Sequence, residues 1–316
     1  MVVVSNADRV VFPEIGRTKG EVVAYYERVA ELLLPHVVGR PLSLKRYPKG
    51  VAGPGFFQKN VPPHYPASIA RFPVPRSAAA TKARKGKAAE AEETVYPLIE
   101  TAEHLAYLAN QGALELHVTT ARAAALHRPD RLVLDLDPPP GATALVRAAA
   151  KLARAALADL GLASAVVATG SKGYHVIAPI AAEVDGDTLA DAMQKLGALM
   201  AAAHPDVLTT RFRIAARGER VFVDWLRNRT MATVVAPYSL RARPRASVAT
   251  PLAWDELDVT APDAFSIDDL ARLLDRPDPL AELSSRPADP RPFVAEVDAR
   301  FERAGLSIEP FDRFRS

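Results

Sequence analysis

Two aspartates, Asp135 and Asp137, stand one residue apart in the run LVLDLDPPPG at residues 132–141. On a strand, side chains alternate between faces, so Leu132, Leu134 and Leu136 point one way while Val133, Asp135 and Asp137 point the other. Like charges one pleat apart repel, and a buried sheet does not hold them unpaired. One resolution is a divalent metal ion, because Mg²⁺ and Mn²⁺ prefer carboxylate oxygens. The other is an Asp-Pro turn, opened by Asp137, with Asp135 solvated. A third carboxylate, Asp224 in VFVDWL, is either a further ligand or the ion-pair partner of a neighbouring arginine. The turn SKGYH, Ser171 to His175, groups a hydroxyl, an ammonium, a glycine and an imidazole as a triphosphate would need them, and Gly170 and Gly173 permit close backbone approach. An ordinary hairpin turn with Lys172 solvated and His175 packed has the same composition. Neither a Walker A pattern nor a G-x-G-x-x-G fingerprint occurs, which excludes those two phosphate sites.

Elements that would position these groups can be read from hydrophobic spacing. Thr18 and Glu21 form a capping-box pattern ahead of Val22, Val23, Tyr26, Val29, Ala30 and Leu33, and Pro35 is expected to end that helix. Strands are expected at 41–47 and 94–99, a helix at 102–110, and a strand with one polar face in ALELHV, where Glu115 and His117 alternate with Leu114, Leu116 and Val118. After the aspartate strand come a helix (143–160), a strand (164–169), the glycine turn, a strand (174–180) and a helix (188–203). Strands at 220–226 and 231–237 and a short helix near 266–274 complete the series. Strands alternating with long helices indicate an α/β protein, and the hairpin makes its sheet mixed or antiparallel.

The 316 residues allow one large domain or two ordinary ones, with 49% hydrophobic and 24% charged residues. Without cysteine there is no disulfide, thiolate metal site or cysteine nucleophile. MVVVSNADRV lacks the basic flank and apolar length of a signal peptide, and no apolar run is long enough to span a bilayer, so a soluble cytoplasmic protein is expected. Net charge is only +3, yet residues 211–245 hold nine arginines against Glu219 and Asp224. Such clustering suggests a phosphate-rich partner or a solvated basic surface. Residues 76–93, RSAAATKARKGKAAEAEE, have little to pack and read as a surface loop.

Taken together, D-x-D on one strand, S-K-G-x-H on a hairpin and a later aspartate resemble the archaeo-eukaryotic primase superfamily. More closely, the chain resembles the primase-polymerase domain of bacterial DNA ligase D and its stand-alone relatives. From about residue 6 to about residue 260, the blocks GPGFFQKN, ANQGALELHV, HRPDRLVLDLDPPPGA, TGSKGYHV, VFVDWLRN, APYSLRARP and WDELD follow the family order, as does the opening DRVVFPEIGRTKGEVVAYYERV. Departures are Ala168 and Thr169 before Gly170, where the family commonly has a serine, and RNRTMATVV after Asp224, which lacks a common glycine-lysine pair.

The resemblance implies an α/β archaeo-eukaryotic primase fold in a single domain over about residues 1–283, with an RRM-like mixed catalytic sheet at about 113–245 and an N-terminal α/β part, about 1–112, forming a DNA cleft. Residues 284–316 would be a C-terminal tail without assigned role. It implies that Asp135, Asp137 and Asp224 hold two Mn²⁺ or Mg²⁺ ions and that Ser171, Lys172, Gly173 and His175 hold the triphosphate of an NTP or dNTP. His117, Lys45, Arg217, Arg227 and Arg241 would lie near the nucleotide, and Arg9 and Lys19 would capture a DNA 5′-phosphate. Phe56 and Phe57 would stack on the template, although adjacency on a strand would send one of the two into the core. The implied activity is nucleotide addition to 3′-hydroxyls at gaps or breaks, with ribonucleotides preferred, in end joining or excision repair. DNA is the implied partner, with Ku and a separate ligase, because no K-x-D-G nucleophile is present (the nearest string runs from Glu183 to Gly186). A monomer at the bacterial nucleoid is expected. The rivals are a non-catalytic DNA-end scaffold and a two-metal nuclease, which has no use for the triphosphate turn.

Overall fold

The computed structural model describes residues 2–75 and 93–308. The stretch read as a surface loop at 76–93 lies outside the described residues apart from Glu93. A short hairpin, β1 (Val10–Phe12) and β2 (Arg17–Thr18), leads into α1 (Lys19–Arg28). The capping box forms: Glu21 N donates to the Thr18 hydroxyl at 3.3 Å and Thr18 N donates to Glu21 Oε2 at 2.7 Å. Pro35 does not end the helix. The chain bends at Val29 (φ −83, ψ 0), and α2 (Ala30–Val37) carries Pro35 inside it. Proline's fixed φ is helical, and the single bond it forgoes belongs to Glu31 in the first turn, beside the bend that relieves the crowding.

The first sheet uses β3 (Leu42–Arg46), β4 (Phe56–Gln58), β7 (Ala113–Thr119) and β13 (Thr233–Val235), in the order β13-β7-β3-β4 and antiparallel throughout. A separate hairpin pairs β5 (Ala70–Pro75) with β6 (Glu93–Leu98). Helix α3 (Ala102–Asn110) packs on α1 and β7. Tyr25 and Tyr26 of α1 are buried and donate to the carbonyls of Tyr238 (2.8 Å) and Leu114 (2.6 Å), which ties the N-terminal helix to segments far along the chain.

The second sheet holds β8 (Arg131–Asp137), β9 (Ala165–Ala168), β10 (Tyr174–Pro179), β11 (Leu208–Thr209), β12 (Val221–Asp224) and β14 (Thr250–Leu252), in the order β11-β12-β8-β10-β9-β14. Only β11 and β12 run parallel, so the sheet is mixed as expected. Two long helices, α4 (Thr143–Asp159) and α5 (Gly186–Ala203), pack against it; in α4, Val146, Ala149, Ala150, Ala153 and Leu157 recur at helical spacing and are all buried. The stretch 113–245 therefore divides between two sheets, with β7 and β13 in the first.

The described part of 284–316 is packed. Ala288 bridges Ile180 at the end of β10, and the last described helix (Pro290–Arg303) lies on α5 with Phe293 and Val297 fully buried and Asp298 Oδ1 2.7 Å from Lys195 Nζ. Family motifs cannot show this, because the helix contributes to the core and not to chemistry. No helix among the described residues is long and apolar enough to cross a membrane. Phe293→Ala should cost about 3–5 kcal/mol in a urea titration, because the ring is removed from a close-packed interior. A loss under about 1 kcal/mol would mean that the helix does not belong to the cooperative core.

Candidate active site

The carboxylates are brought together by sheet register. Asp135 lies directly across from His175 on β10 and from Asp224 on β12, so an imidazole and two carboxylates form a row over three strands, with Asp137 one pleat further along β8. Oxygens of Asp135, Asp137 and Asp224 all lie within 4.8 Å of one another. A set of hard oxygen donors at this spacing suits Mg²⁺ or Mn²⁺ and would not select a soft metal.

The electrostatics register the crowding. Burial pushes the Asp137 carboxyl up, the charges of Asp135 and Asp224 add to it, and the result is about 6. Burial also raises Asp224, against the pull of Arg227. Burial opposes charge at Asp135 as well, but there the charge of His175 and then that of Arg227 win and hold the carboxyl well below the usual range. Asp224 is both candidate ligand and ion-pair partner: Arg227 Nε donates to Asp135 Oδ2 at 3.0 Å while its Nη2 stands 3.0 Å from Asp224 Oδ2. Position 227 is fixed from below by buried Asn228, whose side chain accepts from Val133 N (2.8 Å) and donates to Val133 O (2.7 Å). That amide continues the ladder along β8 where β12 has ended.

The glycine turn between β9 and β10 borders the same cleft of about 300 Å³, together with His117, Arg227 and Arg241. A side chain at Gly173 would put its Cβ 1.9 Å from the Leu136 carbonyl oxygen, so only glycine lets the turn lie against the aspartate strand. Lys172 is exposed, and Ser171 Oγ accepts from Arg243 Nη2 at 2.7 Å. His175 Nε2 lies 3.4 Å from Asp135 Oδ1, and its Nδ1 is buried with no hydrogen-bond partner among the described residues.

Other sequence candidates fall nearby or apart. Lys45 Nζ is 3.5 Å from Glu115 Oε1 and 5.8 Å from the centre of the Phe57 ring. Arg217 does not line the cleft: its guanidinium stacks 3.9 Å from the Phe222 ring centre and donates to the Arg211 and Phe212 carbonyls, though its charge still lowers Asp137 and Asp224. Arg9 and Lys19 form their own pair. Lys19 is buried, its Nζ donates to Ser5 O and Oγ at 2.7 and 2.8 Å, and burial and the charge of Arg9 lower its pKa; Arg9 Nε is buried without a partner among the described residues. Neither aromatic is in the core: Phe56 is 47% and Phe57 56% exposed, because β4 lies at the edge of its sheet and the described residues cover each ring only in part. Phe57 meets His117 edge-on at 5.3 Å, and Arg46 lies 5.7 Å from the Phe56 ring centre.

Sequence reasoning passed over Glu115, Thr169 and Arg243. Glu115 was legible only as the polar face of a strand, yet it is buried beside His117 and Arg241. Its signal was a carboxylate two residues from an imidazole in a strand whose other positions are apolar.

Comparison with known proteins bears on the family and the fold. Residues 18–280 match the family model described as the LigD primase-polymerase domain. The multifunctional non-homologous end joining DNA repair protein LigD of Mycobacterium tuberculosis (strain ATCC 25618 / H37Rv) is 36% identical over 290 residues, 89% of this chain and 36% of that protein. The bifunctional non-homologous end joining protein LigD of Bacillus subtilis (strain 168) is 29% identical over 268 residues, 84% of this chain and 41% of that protein. The chain thus spans about a third to two fifths of the length of these relatives. Among solved structures, the polymerase domain of Mycobacterium tuberculosis ligase D in complex with DNA superposes with a TM-score of 0.80 at 35% identity, covering 91% of this chain and 99% of that one.

A raised carboxyl pKa has a fixed sign in stability. The folded chain binds the Asp137 proton more tightly than the unfolded chain does, so stability falls as pH rises from about 3.8 through about 6, and the deficit is complete above that. Asp137→Asn should therefore stabilise the protein in chelator by about 1–3 kcal/mol at pH 8 and by less at pH 5, read from urea midpoints. An equal or absent gain at the two pH values would contradict the crowding.

Proposed function

The chain belongs to the LigD primase-polymerase domain family, a family of nucleotidyltransferases, and from that premise we propose that it adds nucleotides to a 3′-hydroxyl at gaps or broken ends in DNA. The observation that carries the reading is the row His175–Asp135–Asp224 with Asp137 beside it, of which His175, Asp135 and Asp137 line one cleft with the SKG turn. In this reading Asp135, Asp137 and Asp224 hold two divalent ions, Mn²⁺ or Mg²⁺. Bound there, such ions would lower the pKa of the primer hydroxyl and neutralise the departing pyrophosphate.

The protein's own groups do the rest. Lys172 brings a mobile ammonium to the triphosphate, Ser171 a hydroxyl oriented by Arg243, and Gly173 a backbone without a side chain in the way. His175 braces Asp135 from the neighbouring strand. Arg227 bridges two of the carboxylates and would pass its charge to the nucleotide as they take up metal. Arg241, Lys45 and, from further out, Arg217 supply the remaining positive field around the substrate, and His117, whose pKa burial lowers, adds a neutral imidazole. Phe56 and Phe57 offer aromatic faces to unpaired template bases, a contact indifferent to sequence. Buried Lys19 and half-buried Arg9 form an anion site suited to a 5′-phosphate.

Ribonucleotides are the preferred substrates in this reading, and the setting is non-homologous end joining with Ku and a separate ligase, or gap filling in excision repair, at the bacterial nucleoid. A primer-extension assay with Mn²⁺, labelled nucleotides and a gapped, 5′-phosphorylated duplex tests it. Extension supports the proposal; shortening of the primer would make the protein a nuclease, and binding without change a scaffold.

Asp135→Ala or Asp224→Ala should lower extension by at least about a hundredfold while DNA affinity stays within about twofold, because metal ligation serves the transition state and the arginines serve binding. Near-wild-type extension by either variant would remove the metal assignment.

Lys19→Ala should erase the preference for 5′-phosphorylated over unphosphorylated gaps, a loss of roughly tenfold in affinity, since a charge-assisted phosphate contact contributes about 1.5–3 kcal/mol. Undiminished discrimination in a gel-shift titration would assign the phosphate to other residues.

A further inference from the structure

Glu115 is a buried carboxylate, 3% exposed, whose oxygens are both fully engaged. Oε1 accepts from Ala242 N at 3.2 Å and lies 3.5 Å from Lys45 Nζ; Oε2 lies 3.1 Å from His117 Nε2 and accepts from Arg241 Nε at 3.2 Å. Burial alone would raise its pKa, but the hydrogen bond from His117 and then the charge of Arg241 bring it down to about 2. With both oxygens used inside the protein, the group has no lone pair to offer a metal ion or a proton in transfer. Its effect must pass through the residues it holds.

Two of those residues, His117 and Arg241, line the cleft. Arg241 is held at two points, Nε on Glu115 and Nη1 on the Thr169 carbonyl at 2.5 Å. Thr169 in turn donates through N and Oγ1 to the Gly173 carbonyl at 3.1 and 2.8 Å, inside the glycine turn. Gly170 leaves room for this link, since a Cβ there would meet Arg241 Cγ at 2.8 Å. A chain of contacts thus runs from β7 in the first sheet, through Arg241, to the turn that flanks the aspartates in the second. The same carboxylate obliges His117 to donate from Nε2, which fixes the ring's orientation and leaves Nδ1 as its free nitrogen.

We infer that Glu115 is a positioning residue for the incoming nucleotide: it sets Arg241, His117 and Lys45, and through Arg241 the triphosphate turn, in the geometry that receives substrate. The inference rests on the polymerase reading and assigns Glu115 no contact with the reacting atoms.

Equilibrium binding of a fluorescent ATP analogue with Mn²⁺, without DNA, is read beside primer-extension kinetics for Glu115→Gln, Arg241→Ala and the double variant. Glutamine turns an N–H₂ toward cationic donors, so nucleotide affinity should weaken about tenfold or more and KM should rise in parallel. The value of kcat at saturating nucleotide should stay within about threefold, and DNA affinity within about twofold, of wild type. In the double variant the combined loss should fall short of the product of the single losses. If Glu115→Gln does not fold, Glu115→Asp carries the same test: it keeps the charge but retracts it by one methylene, and KM should rise severalfold. Unchanged KM and nucleotide affinity would overturn the inference, as would a fall in kcat with KM unchanged or single losses that multiply in the double variant. Failure of the wild-type protein to bind nucleotide or extend a primer would instead overturn the polymerase reading.

Discussion

Carboxylates as close as Asp135, Asp137 and Asp224, with oxygens within 4.8 Å, repel one another by about 4 kcal/mol per pair at the effective dielectric of a protein, and that repulsion shapes what surrounds them. Two nitrogen-bearing side chains reach Asp135, one from each neighbouring strand region: His175 from β10 and Arg227 from the turn after β12. Asp137, one pleat further along, has neither, which is why its carboxyl alone is raised as far as about 6. A sheet selected for stability would replace these residues with valine or leucine. Retaining them costs folding free energy and leaves a site whose strongest available partner is a multivalent cation.

The opposite wall of the cleft inverts the arrangement. There a single acid, Glu115, is surrounded by Lys45, His117 and Arg241. One wall concentrates negative charge and holds it with a few cations; the other concentrates positive charge and holds it with one anion. Each minority charge keeps the majority charges on its own side from relaxing away from one another.

The candidate site was legible in the sequence because its residues are compressed into short strings. Asp135 and Asp137 share a pleat face by simple alternation, and SKGYH gathers its donors within five residues, so no tertiary knowledge is needed to see either. The long helices were legible for the same reason, through the spacing of residues such as Val146, Ala150 and Ala153. What could not be read depends on partners distant in the chain. Glu115 finds Arg241 across 126 positions, and neither residue type signals the other. Phe56 and Phe57 read as a strand with one buried side, but burial is decided by what covers the strand, and β4 lies at an edge. Helix 290–303 carries no motif, and its Phe293 and Val297 become core only because α5 presents a complementary face.

Strand register is the point on which fold and chemistry meet. A slip of one residue between β8 and its neighbours would turn Asp135 and Asp137 to the opposite face and replace them with leucines. Three features oppose it. Leu132, Leu134 and Leu136 bury one face of β8 completely, so a slip would exchange them for carboxylates in the core. Asn228 closes both the N–H and the carbonyl of Val133, a match available at one register only, and by doing so delivers Arg227 between Asp135 and Asp224. Gly173 lies so close to the Leu136 carbonyl that any other residue of β10 brought there by a slip would collide through its Cβ. The glycine that lets the turn lie against β8 is therefore also the residue that holds the aspartate strand in place, and this is a physical reason why the turn and the D-x-D strand occur together.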